Sequence, residues 1–134
     1  MKLELVLLPV TDVDRAKAFY SEQVGFAVHV DHRAGESFRV EQLDPPGSSC
    51  SISIGVGITT AEPGSVRGLH LMVEDIEAAR EELIGRGVAV SAIRHMSQTG
   101  WVDGVDPAHT DYNSFAQFED PDGNTWVLQE RGHA

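Results

Sequence analysis

Phe118-Glu119-Asp120-Pro121-Asp122-Gly123-Asn124, running on into Thr125-Trp126-Val127-Leu128-Gln129, is the stretch whose reading decides the fold. Pro121 fixes one φ angle, Gly123 and Asn124 both accept a positive φ, and apolar residues flank the turn on each side. Together these predict a tight hairpin between two strands.

Working outward, Ser114–Phe118 is the strand that enters the hairpin. Before it, residues 95–113 read as a connection unusually long for a compact domain. Connections of this length are commonly functional or disordered, and Trp101 and Tyr112 argue against disorder. Further back, Gly68–Val73 is a strand, Asp75 caps a helix with Ile76, Ala79 and Leu83 on one stripe, Gly87 ends it, and Val88–Ile93 is predicted as the next strand.

The first half repeats this plan. Met1–Leu8 is an apolar run closed by Pro9, and Asp12 caps a helix whose buried positions Val13, Ala16, Phe19, Tyr20 and Val24 run up to Gly25. Strands are expected at Phe26–Val30, Ser37–Leu43 and Cys50–Ile54, with turns over residues 31–36 and 44–48. Asp12 thus aligns with Asp75 and Gly25 with Gly87, which makes the chain a duplicated βαβββ module in a single domain. Module 1 covers about residues 1–57, a linker about 58–66, and module 2 about 67–134. The fold class is α+β, with curved mixed sheets and the helices outside.

A chain of 134 residues, 41% hydrophobic and 23% charged, suits one globular domain. Glu4 and Pro9 cut the opening apolar run too short to span a membrane. Cys50 is the sole cysteine, so no internal disulfide forms and a reducing, cytoplasmic setting is expected. A net charge of −11 argues against nucleic acid as a partner and would steer a cationic ligand favourably.

Strand alternation assigns the faces. Leu69, Leu71 and Val73 oppose Gly68, His70 and Met72; Cys50, Ile52 and Ile54 oppose Ser51, Ser53 and Gly55; Trp126 and Leu128 oppose Thr125, Val127 and Gln129. The uniformly apolar rows belong under the helices. The mixed rows, with small residues at 51, 53, 55 and 68, leave a concave, partly polar surface of the kind that binds small molecules.

On the paired modules, Val10-Thr11-Asp12, Phe19-Tyr20, Val24-Gly25-Phe26 and the 118–124 turn, the whole chain resembles the vicinal oxygen chelate superfamily, which includes glyoxalase I, extradiol dioxygenases, fosfomycin-modifying enzymes and bleomycin-binding proteins. The resemblance implies a homodimer. Metal-dependent members hold one divalent ion at positions that carry over here to Leu5, Ser53, Gly68 and Val127, of which only the serine is even a weak ligand. An ion held instead by displaced ligands would use His70 and Gln129, with Glu41 reaching in from the third strand. His29, His32, His95, His109 and His133 follow no metal-ligand spacing, and Cys50 falls on an apolar row, unsuited to a nucleophile.

The sequence therefore predicts a metal-independent protein that binds a small aromatic or cationic molecule, without catalytic residues or cofactor. Its ligand-contacting residues are Leu5, Leu7, Ser53, His70, Trp101, Tyr112, Phe115, Val127 and Gln129. The alternative is a lyase, isomerase or dioxygenase of the same superfamily, with a divalent metal or His70 as acid–base group.

Overall fold

The computed structural model describes residues 1–132; His133 lies outside them. Residues Met1–Arg67 together with Asp120–Asn124 form one compact unit, and Gly68–Glu119 with residues 125–132 form a second. Among the described residues no helix is long and apolar enough to cross a membrane.

The first unit runs β1 (Leu5–Leu7), α1 (Val13–Ala18), a π-helix (Phe19–Val24), β2 (Ala27–Ala34), β3 (Phe38–Asp44) and β4 (Ser51–Val56). Its sheet order is β1-β4-β3-β2, with β1 parallel to β4 and the other pairs antiparallel. The Asp12 carboxylate caps α1 by accepting from the Arg15 amide at 3.0 Å. The single α-helix expected up to Val24 instead widens into the π-helix after Ala18. The wider turn accommodates the neighbours Phe19 and Tyr20 in the core together with Val24, and Gly25, at φ 91°, ends it. A second difference is at β2, which continues past Val30 to Ala34 after a register shift between Val28 and Val30.

The turn at 120–124 is a buried polar knot. Asp120 Oδ1 accepts from the amides of Asp122 and Asn124, both at 2.9 Å, and Gly123 alone of the two expected residues takes a positive φ, at 91°. Asn124 has a different task. Fully buried, it donates to Pro9 O at 2.9 Å and Asp120 Oδ2 at 2.8 Å, and accepts from Val66 N at 3.1 Å. Thr11 donates to Asp122 Oδ1 through both its amide (3.2 Å) and its hydroxyl (2.7 Å).

The second unit runs β5 (Leu69–Val73), α2 (Ile76–Gly85), β6 (Arg94–Ser97), β7 (Gly100–Asp103), β8 (Ser114–Glu119) and β9 (Thr125–Glu130), in sheet order β5-β9-β8-β6-β7. It has one strand more than the expected βαβββ. Two predictions fail here. Val88–Ile93 is not a strand, although it runs beside β8: Ser91 N donates to Gln117 O at 2.8 Å, but the Ser91 carbonyl is taken by Arg80 Nε at 2.7 Å, and the Gln117 amide turns to the Ser91 hydroxyl at 2.8 Å. Residues 95–113 are not one long loop, because β6 and β7 form a hairpin in which Met96 pairs with Trp101 and Arg94 with Asp103.

In each unit the helix covers one face of its own sheet. In the first, Glu41 and Arg39 face α1, with Arg39 bonded to Asp14 at 2.8 Å and Lys17 Nζ 3.8 Å from Glu41. Glu41 is fully buried there beside Ile54, its cross-strand partner, so it does not reach the opposite face as the displaced metal site would require. In the second unit, Ile76 N at the start of α2 donates to Glu130 Oε2 at 3.1 Å, which places Trp126, Leu128 and Glu130 on the helix side.

Candidate functional site

The opposite face of the second sheet collects most of the predicted site. Register places His70 beside Val127, Met72 beside Gln129, Gln129 beside Phe115, Phe115 beside Arg94, and Met96 beside Trp101. Six of the nine candidate residues, His70, Trp101, Tyr112, Phe115, Val127 and Gln129, thus belong to this unit.

Two groups of contacts organise the face. The first is a polar relay. Gln129 Nε2 donates to the Tyr112 carbonyl at 2.9 Å, and Gln129 Oε1 lies 2.8 Å from His70 Nδ1. A backbone carbonyl can only accept, so it fixes which way the Gln129 amide points. That in turn requires the proton of His70 to be on Nδ1, and in the neutral ring this leaves Nε2, without a hydrogen bond to any described residue, able to accept one. The second is an aromatic pair: Trp101, half exposed, stands edge-on to Phe115 with ring centroids 5.4 Å apart.

Sequence reasoning missed Arg94, whose guanidinium lies 4.3 Å from the Trp101 ring centroid. With the β6–β7 hairpin unrecognised, nothing paired residues 94 and 101. Met72 and Met96, both exposed on this face, add polarizable apolar surface. Tyr112 enters through its carbonyl, while its ring faces Arg131, whose guanidinium carbon lies 5.9 Å from the centroid.

The remaining candidates belong to the first unit. Leu5 and Leu7 are exposed on β1 and pair with Ser51 and Ser53 of β4. Ser53 is buried, and its hydroxyl has no hydrogen-bond partner among the described residues. The positions that would hold a divalent ion therefore offer two hydrocarbon side chains, a glycine and one enclosed hydroxyl, a donor set that does not fit the ion. The other described histidines are engaged elsewhere: His29 with Asp44 at 3.0 Å, His95 with the Gly104 carbonyl at 2.8 Å, His109 with Glu130 at 2.9 Å, and His32 edge-on to Phe38.

A model of the Glyoxalase/Bleomycin resistance protein/Dioxygenase superfamily matches residues 2–128, and the chain belongs to that superfamily. Among solved structures, it is similar to TnmS3, an antibiotic binding protein from Streptomyces sp. CB03234, at 35% identity over 97% of this chain and 95% of that one, with a TM-score of 0.74. A superfamily member from Sphaerobacter thermophilus DSM 20745 is 25% identical over 98% of both chains, also with a TM-score of 0.74. The protein YetH of Bacillus subtilis (strain 168) is 26% identical over 125 residues, 93% of this chain and 94% of that protein.

Proposed function

We propose that this chain captures a planar aromatic small molecule on the open face of its second sheet without help from a metal ion, in the manner of an antibiotic-binding protein. The observation that carries this reading is the Trp101–Phe115 pair on the same face as the Tyr112–Gln129–His70 relay: a stacking surface beside one oriented hydrogen-bond acceptor. The likeness to TnmS3 supports it.

Arg94 refines the ligand's charge. The net charge of −11 attracts cations at a distance, but that field is screened beyond about 8 Å at physiological salt. The Arg94 guanidinium is already in contact with Trp101 and repels a cation placed there. The contact wins, so a neutral or anionic planar ligand carrying a hydrogen-bond donor suits this face better than a cationic one. The proposal also includes a homodimer in the cytoplasm; the family resemblance supports the first and the lone Cys50 the second.

The test is titration with bleomycin and a panel of other aromatic antibiotics, following Trp fluorescence and thermal stability. A ligand at 100 times its dissociation constant should stabilise the fold by about 2.7 kcal/mol, and Trp101→Ala should remove most of the quenching. No quenching and no thermal shift across the panel would overturn the reading. One divalent ion bound per chain, lost in His70→Ala, would favour a metal-dependent lyase, isomerase or dioxygenase instead. Sedimentation velocity tests the dimer.

A further inference from the structure

Beyond the aromatic pair and the relay lies the segment that supplies the relay's anchoring carbonyl, residues 104–113. Within it, His109 and Tyr112 are the two described non-glycine residues with positive φ, at 48° and 69°. Such conformations persist only where surrounding bonds hold them. Here the bonds converge on the end of β9 and the residues just after it. Tyr112 N donates to the Glu130 carbonyl at 2.7 Å, Gly132 N donates to Asp111 Oδ1 at 2.9 Å, and His109 Nδ1 lies 2.9 Å from Glu130 Oε1.

Glu130 is the neighbour of Gln129, and its side chain is 3% exposed. Its two carboxylate oxygens are divided between elements, Oε2 to the first amide of α2 at 3.1 Å and Oε1 to His109. His109 is therefore the side chain by which this segment reaches the buried carboxylate. Three residues later the same segment presents the Tyr112 carbonyl to Gln129.

We propose that His109 is a positioning residue of the ligand-binding face: paired with Glu130, it holds the 109–112 backbone against β9, so that Tyr112 orients Gln129 and Gln129 orients His70. The inference rests on the proposed binding role of that face but makes a claim of its own about the ligand-free protein. The groups facing His109 are Glu130 from β9, Glu77 from α2 and Asp106 from its own segment, all acidic. The hydrogen bond with Glu130, followed by its charge, raises the His109 pKa above the ordinary imidazole value. With the folded pKa raised, the ion pair is complete at acid pH and loses its charge as pH rises through the folded pKa, while the neutral ring can still donate from Nδ1. The hold loosens with rising pH and is not abolished.

The test is an NMR titration of the ligand-free protein from about pH 5 to about pH 9, following the Gln129 side-chain amide and the Tyr112 backbone amide. In the wild type the Gln129 and Tyr112 amides should both shift with the midpoint that the His109 ring signals themselves report. In His109→Gln, a change at a largely exposed side chain, that step should vanish from the Gln129 response and the Tyr112 amide should stop responding. A Gln129 response that is unchanged in His109→Gln, or a Tyr112 amide that is silent in the wild type, would overturn the inference. Because this experiment contains no ligand, it decides the role of His109 whether or not the antibiotic titration succeeds. Where a ligand is found, the wild type should lose affinity relative to His109→Gln as pH rises through the His109 midpoint; equal profiles would likewise count against it.

Discussion

The Tyr20 hydroxyl donates to Asp120 Oδ2 at 2.7 Å, and both residues are buried. The bond joins the π-helix to the polar turn at 120–124. Asp120 also accepts from Asn124 at 2.8 Å on the same oxygen, so the carboxylate is not stranded if the phenol is lost. Hydrogen bonds to charged groups contribute about 1.5–3 kcal/mol, and with the second donor retained Tyr20→Phe should cost about 2 kcal/mol or less. The check is a lowered urea midpoint with an unchanged slope; a midpoint equal to the wild type would show that the bond contributes nothing net.

Gly64 lies at φ 79°, and a Cβ added there would come 2.2 Å from the Asp122 carbonyl oxygen. Gly35, at φ 68°, would meet nothing within 4 Å. Gly35→Ala should therefore carry only the left-handed cost of about 1–2 kcal/mol. Gly64→Ala adds a backbone clash of the overpacking kind, about 1–3 kcal/mol more. Comparative thermal melts of the two variants test the ordering, which equal losses would contradict.

Asp106 is held at about 2, first by the Thr110 side chain and then by the Ala108 amide and the Asn113 side chain. Its folded pKa is depressed, so its contribution is present above the unfolded carboxylate value and is lost as pH falls. The window runs from about pH 4, the ordinary aspartate value, down to about pH 2. In Asp106→Asn that part of the acid-induced loss of stability should be missing when melting temperature is followed against pH; an identical acid limb would refute the assignment.

Within the proposed site, Tyr112 acts through its carbonyl and Gln129 through its side chain. Tyr112→Phe should leave ligand affinity unchanged. Gln129→Leu frees both His70 and the Tyr112 carbonyl, and Trp101→Ala removes the stacking surface; each should weaken binding about tenfold, or 1.4 kcal/mol. Calorimetric titration of the three variants gives the comparison. A Tyr112→Phe defect as large as that of Gln129→Leu would mean that the phenol, not the carbonyl, matters.

Several features were legible because they are local. Asp12 and Asp75 cap their helices as read, and alternation along β5 and β9 put His70 with Met72 and Val127 with Gln129 before any pairing was known. Others depend on neighbours distant in the chain. Val88–Ile93 has strand-like composition, yet Arg80 removes the carbonyl its ladder would need. Asn124 reads as a turn residue but serves as a buried node for Pro9, Asp120 and Val66.

The sequence alone determined the duplicated α+β plan, which follows from helix caps and strand alternation at fixed local spacing. Its motifs carried the resemblance to the superfamily, and it is that resemblance which implies Leu5, Ser53, Gly68 and Val127 at the metal positions. The tertiary structure decided which inward groups meet. Alternation fixes the face on which a side chain lies, but only strand register fixes its neighbour. That register brings His70 to Gln129, Arg94 to Trp101 and His109 to Glu130, while burying Glu41 against α1.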